Sequence, residues 1–240
     1  MPDLDISRFI AAWPTLGLAA MQPWTITSAC EYHVRALLAR LGPGYRREGD
    51  NAIHETAVVE PGAVLKGPVI VGPGTLVATG AYLRGGVHLG SHCVVGPACE
   101  LKSSLLLDDS KLAHFNFVGD SLIGSGVNLE AGTIVANYRN ESDGALIRLG
   151  DQVIDTGVVK FGALIGDGCR LGANAVIAPG ALLLPGTRVA RLELIDQGCR
   201  TPPRTRRPLS RRDRRRWLPG SHRRRPAPPS GRHVPGPPAP

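Results

Sequence analysis

Large aromatic side chains are scarce in this 240-residue chain: Phe, Tyr and Trp together make up 5% of it, beside two methionines. That excludes a core packed on big rings, and 30 glycines with 21 prolines favour stacked turns and small, regular side chains over a helix bundle. No apolar run approaches a membrane span. The stretch from Phe9 to Met21 is broken by Pro14 and preceded by Asp3 and Asp5, so it is expected to be a buried helix or loop rather than a signal peptide. Paired cysteines are lacking as well. Cys30, Cys93, Cys99, Cys169 and Cys199 are odd in number, with no CxxC and no metal-type spacing, which argues against a disulfide framework or a zinc site. A reducing, cytoplasmic setting is the expectation.

Acid is missing from one end. Residues 200–240 hold 13 of the 28 Lys and Arg residues and a single acid, Asp213, leaving 15 basic against 19 acidic residues in 1–199. The net charge of +8 therefore belongs to the tail. Its Arg, Pro, Gly and Ser carry no apolar periodicity to offset the entropy of ordering, so residues 192–240 are expected to be disordered.

What is abundant is a repeat. Ile53, Val59, Leu65, Val71, Val77, Leu83, Leu89, Val95 and Leu101 are nine consecutive aliphatic residues at six-residue spacing. Four positions after most of them comes a small or β-branched residue, such as Ala57, Ala81, Cys93 and Cys99. Six residues per side with one aliphatic side chain inward and a tight turn between sides describes a parallel β-helix of triangular section, three hexapeptides to a coil. Cys93, Cys99 and Cys169 then sit at small inward positions, as small hydrophobes. Ahead of the repeat, residues 1–50 are expected to be partly helical. Ser28 and Glu31 form a capping-box pattern, followed by Val34, Leu37, Leu38 and Leu41 at helical spacing.

The repeat slips by one residue between Leu101 and Leu106 and again between Val118 and Ile123. Breaks in a solenoid are where side chains can be re-aimed, so residues 102–120 are the place to look for chemistry. Residues 136–148 break the pattern altogether and are expected to protrude as a loop. The pattern resumes near Leu149, is regular from Ile165 to Val189, and ends at about Arg191, giving a solenoid domain of residues 51–191.

Within the irregular part, HFNFVGDSLIG (114–124) and VNLEAGTIVANY (127–138) resemble the acetyltransferase half of the bifunctional bacterial enzyme that makes UDP-N-acetylglucosamine, and its archaeal sugar-1-phosphate relatives. The resemblance covers roughly residues 51–190. It implies a left-handed parallel β-helix, an all-β solenoid with a short N-terminal helical segment, assembled as a homotrimer, and acyl transfer from acetyl-CoA to an amino sugar phosphate or nucleotide sugar.

The resemblance also implies roles. His114 becomes the general base and Asn128 the group that orients the amine or stabilises the oxyanion. Arg84 and Lys102, eighteen residues apart and so one coil apart, become the phosphate clamp, with Phe117, Asn137 and Tyr138 beside the acceptor. Phe117 stands where the family has a tyrosine, and Glu130 where it has glycine, bringing charge and bulk close to Asn128. The lysine expected in the loop after Asn137 is missing, with Arg139 or Arg148 as substitutes. Gly157, Lys160 and the residues near Ala163 and Ala178 are the expected CoA contacts. No metal is required: His88, His92 and His114 lack a zinc-site spacing. Two other readings stay open, a non-catalytic sugar-nucleotide-binding or scaffold trimer, and a nucleic-acid or anionic-membrane binder using the tail.

Overall fold

The structure is a computed structural model that describes residues 4–18, 21–141, 144–149 and 152–197, and the backbone of 199–200. The Arg/Pro tail beyond residue 200, expected to be disordered, lies outside the described residues.

From Asn51 the chain winds through short strands, each paired in parallel with its equivalent one coil later. Three ladders result. Face A contains Val64–Lys66, the start of Tyr82–Leu89 and of Glu100–Leu106, then Phe117–Gly119, Ile134–Val135, Val176–Ile177 and Leu194–Ile195. Face B runs from Asn51–His54 through Val69–Val71, Leu122–Ile123, Ala163–Ile165 and Ala181–Leu183 to Cys199–Arg200. Face C runs from Val58–Val59 through Lys111–Leu112 and Asn128–Leu129 to Arg188–Val189. Adjacent strands of a ladder lie about 4.8 Å apart, so equivalent side chains stack. The sixth-position aliphatics fill the prism: Val71, Leu83, Leu101, Leu112, Ile123 and Leu171 are all enclosed, with Cys93, Cys99 and Cys169 among them.

The slips in the repeat are corners shortened by one residue. Where one coil turns from face A to face B through Gly85–Gly86, the next does so through Ser103 alone. Asp120 makes the corner of the coil after that. Ser103 and Asp120 take left-handed backbone, at φ 47° and 45°, because a single residue must make the whole turn.

The outer side of face B is apolar, a column of Ala52, Ile70, Leu105, Leu122, Leu164 and Leu182, and the N-terminal segment covers it with Ile6, Phe9, Ile10, Trp13, Trp24, Ile26, Val34 and Leu38. The segment begins with 3-10 turns at Ile6–Arg8 and Trp13–Leu16 and continues as helix α1 (Pro23–Ser28) and helix α2 (Cys30–Leu38). It ends in a strand, Tyr45–Glu48, antiparallel to Asn51–His54.

Four sequence expectations are corrected. Ser28 caps nothing: it is the last residue of α1, its hydroxyl donates to the Thr25 carbonyl, and α2 starts after Ala29 without a side-chain cap. Residues 136–148 are not simply a loop, because Leu146–Leu149 pairs antiparallel with Gln152–Asp155. Ala145, Ile147 and Ile154 pack that hairpin into the face B cluster. The solenoid consequently resumes at Ala163, not at Leu149. It also runs past Arg191, through the parallel pairs at Leu194–Ile195 and Cys199–Arg200.

Candidate functional site

Outward-facing positions on face A build a ladder of cations. Lys66 pairs in register with Arg84, and Arg84 with Lys102. The ladder opens onto a cleft of about 520 Å3, walled on its far side by Ser28, Ala29, Cys30, Glu31 and Tyr32 around the start of α2. Gly85 and Gly86 make that approach possible. A Cβ on Gly86 would lie 2.6 Å from the Glu31 nitrogen, and the Gly86 carbonyl accepts the Cys30 thiol at 3.1 Å. The two predicted phosphate ligands therefore do stack and share one cleft. Lys66 belongs with them, and the eighteen-residue spacing that linked Arg84 to Lys102 would have found it.

Both predicted cations are held by acids that the sequence reading passed over. Arg84 pairs with Glu100 at 2.7 Å, and its guanidinium lies 5.9 Å from the Tyr82 ring centroid. The Lys102 ammonium donates to both oxygens of Asp120, at 2.7 and 2.9 Å, and Asp120 also accepts the Asn137 amide. The Asp120 side chain is 5% exposed, so this pair is fixed rather than fluctuating. Asp120 was legible only as the corner residue of a shortened side. Gly119 keeps the space clear, since a Cβ there would lie 2.5 Å from the Asn137 amide nitrogen and 2.9 Å from the Phe117 ring.

Phe117 stacks on Glu100 in the face A ladder, at the level of the Arg84 partner. Tyr138 is exposed, with the Lys160 ammonium 5.8 Å from its ring centroid, so a predicted acceptor residue and a predicted CoA residue meet each other. Gly157 closes the turn after the hairpin at φ 68°. Ala163 faces into the solenoid core and its amide donates to the Ser121 hydroxyl, while Ala178 is buried with its amide on the Ile195 carbonyl. Neither presents a side chain or an amide to a ligand within one chain.

His114 and Asn128 lie elsewhere. His114 is exposed at the corner from face C to face A, where its carbonyl accepts the Gly132 amide, beside Phe115 at φ 53°. Asn128 lies on face C between Lys111 and Arg170. The cation cleft is at the opposite edge of face A. One chain thus supplies a His/Asn edge and a cation edge, separated by the outer surface of face A with Tyr82, Glu100, Phe117 and Ile134.

The buried thiols offer no nucleophile. Burial pushes Cys93 up to about 12 and Cys169 to about 11, and raises Cys30 and Cys99 as well. Among the described residues no group of His, Cys, Asp and Glu is arranged to hold a metal, and no helix is long and apolar enough to cross a membrane.

Fold and repeat together define a hexapeptide-repeat left-handed β-helix, the architecture of the acyltransferases whose motifs the chain resembles. The particular likeness is to bifunctional sugar-1-phosphate enzymes. The chain is 31% identical over 176 residues to the bifunctional sugar-1-phosphate nucleotidylyltransferase/acetyltransferase of Sulfurisphaera tokodaii, covering 71% of this chain and 43% of that protein. It is 35% identical over 140 residues to the bifunctional protein GlmU of a Cyanothece species, covering 57% of this chain and 26% of that one. The chain thus spans less than half the length of these relatives. The model of the GMPPB C-terminal domain matches residues 66–159. Among solved structures, a hexapeptide transferase family protein from Anaplasma phagocytophilum aligns at 17% identity and TM-score 0.36, over 61% of this chain and 73% of that one.

Proposed function

We propose that the chain transfers an acyl group, acetyl in the first instance, from acyl-CoA to the amine of a sugar phosphate or nucleotide sugar. The observation that carries this reading is the stacked Arg84–Lys102 pair, braced by Glu100 and Asp120 and opening on a cleft, in a chain whose curated relatives are named for sugar-1-phosphate chemistry and acetyl transfer. The His114 imidazole takes a proton from the acceptor amine as its nitrogen attacks the thioester carbonyl. The Asn128 amide steadies the oxyanion that forms. The intermediate then collapses, the carbon–sulfur bond breaks, and the proton held on His114 goes to the departing CoA thiolate.

A homotrimer is part of the proposal. His114 lies at the corner between faces C and A and Asn128 on face C, whereas Arg84, Lys102, Tyr138, Lys160 and Ala178 follow the opposite edge of face A, and in this reading a neighbouring solenoid brings the base to them. The setting is the reducing cytoplasm. The test is CoA release from acetyl-CoA across a panel of amino-sugar phosphates and nucleotide amino sugars, wild type beside His114→Ala. Turnover of one acceptor that falls by about 10²–10⁴ in the variant supports the reading. Absence of CoA release from a folded trimer, with acetyl and longer donors alike, supports the non-catalytic sugar-nucleotide binder, which Phe117 favours by lacking a hydroxyl at the acceptor.

A further inference from the structure

We infer that the cleft beneath α2 is built for a nucleoside diphosphate, so that the acceptor is a nucleotide-linked amino sugar rather than a sugar monophosphate. The inference rests on the acyl-transfer reading for the word acceptor, but the binding site stands on its own geometry. Lys66, Arg84 and Lys102 occupy one outward ladder on three successive coils. At strand spacing their roots span about 10 Å, more than one phosphate needs and enough for two. Arg84 and Lys102 are held in place by Glu100 and Asp120, whereas Lys66, on the earliest of the three coils, has no ion pair among the described residues.

The opposite wall supplies what the rest of a nucleotide requires. Glu31 offers carboxylate oxygens to ribose hydroxyls, the role an acid plays in dinucleotide sites. Tyr32 lines the cleft and is 71% exposed, which leaves ring surface available to a base. The cleft's volume of about 520 Å3 is that of a small-molecule site. Glu100 and Asp120, behind the lining, fix Arg84 and Lys102 in place and offset part of their charge, so the cleft is not a general anion trap. It matches a ligand with a short diphosphate, hydroxyls and a flat ring.

The placement of the second wall is itself a construction. Cys30 hydrogen-bonds the corner at Gly86, which must be glycine for α2 to come so close. The N-terminal segment, absent from the hexapeptide pattern, thereby brings Glu31 and Tyr32 to a ladder that the solenoid makes by itself.

The experiment is calorimetric titration of the full chain with uridine diphosphate and guanosine diphosphate, against glucosamine-1-phosphate and inorganic phosphate. At least one nucleoside diphosphate is expected to bind about tenfold or more tightly than glucosamine-1-phosphate. Lys66→Ala and Tyr32→Ala are each expected to weaken that nucleotide about tenfold, and by more than either weakens glucosamine-1-phosphate, with the melting temperature unchanged. Tyr32→Phe is expected to retain it. Nucleoside diphosphates binding no tighter than the sugar phosphate, or indifference of a folded Lys66→Ala and Tyr32→Ala pair, overturns the inference. CoA release with glucosamine-1-phosphate alone also overturns it, and leaves the acyltransferase reading intact. Nucleotide binding without CoA release from any nucleotide amino sugar does the reverse: the site stands and acyl transfer falls.

Discussion

Glu130 grips Arg191 in a fork, at 2.7 and 2.9 Å, while the same carboxylate accepts the Ala173 amide that lies on the coil between them. These bonds hold the Glu130 carboxyl below its usual range, with Arg191 as the largest cause. The charge feared beside Asn128 is thus spent along the corner of the prism. Glu130→Gly is expected to leave kcat/KM for the acyl-transfer reaction within about threefold of wild type, because the ion pair is exposed and screened. A loss of a hundredfold in steady-state assays would assign Glu130 to the site instead.

Gly86 should tolerate no side chain. Its φ of 86° and the closeness of Glu31 mean that Gly86→Ala either displaces α2 or strains the corner, at about 1–3 kcal/mol in urea denaturation. Gly126→Ala is the control: φ is 65° but nothing lies within 4 Å of the added carbon, so about 1 kcal/mol of backbone strain is expected. Equal losses at the two glycines would show that α2 does not press on the corner.

His88 interrupts the apolar column on face B, and its Nδ1 is buried without a hydrogen-bond partner among the described residues. Burial pushes it down to about 4, against the opposing pull of Asp108. A histidine that is harder to protonate folded than unfolded contributes stability above pH 6.5 that is lost as pH falls towards 4. The full loss is at most about 3 kcal/mol, and water reaching the ring edge reduces it. Denaturation midpoints at pH 7 and pH 4.5 should therefore converge in His88→Leu relative to wild type.

Asp120 anchors Lys102 and Asn137 together. Asp120→Asn removes the countercharge of a largely buried ammonium, and a loss of about 2 kcal/mol or more is expected. Because Asn137 shares the same carboxylate, its removal and that of Asp120 should be non-additive in a double-mutant cycle. Simple additivity would mean the three side chains act separately.

The prism was legible because its signal is redundant: Leu83, Leu101 and Val118 each repeat one position coil after coil. The slips were legible too, though only the structure shows that each is a corner reduced to one left-handed residue. The hairpin of Leu146–Leu149 and Gln152–Asp155 was hidden because Leu149 mimics the hexapeptide aliphatic while Ile147 does the packing, on the outer side of face B. Ser28 misled because a local capping pattern takes no account of Pro23, which starts a separate short helix. In the site, Arg84 and Lys102 came from the resemblance, whereas Glu100 and Asp120 needed three dimensions, since hexapeptide patterns describe what points in and say little of what leans sideways.

The N-terminal segment lies against face B from the Phe9 carbonyl and Ala11 amide, bonded to Asp167, at one end to Tyr45–Glu48, paired with Asn51–His54, at the other. A bare solenoid melts like a zipper, coil by coil from its ends, because each coil knows only its neighbours. A splint from the first coil to that of Asp167 makes distant coils share one fate. Opening the coil of Asp167 must first peel away the segment that also clasps the first, so these coils should unfold in a single sharp step rather than a gradual one.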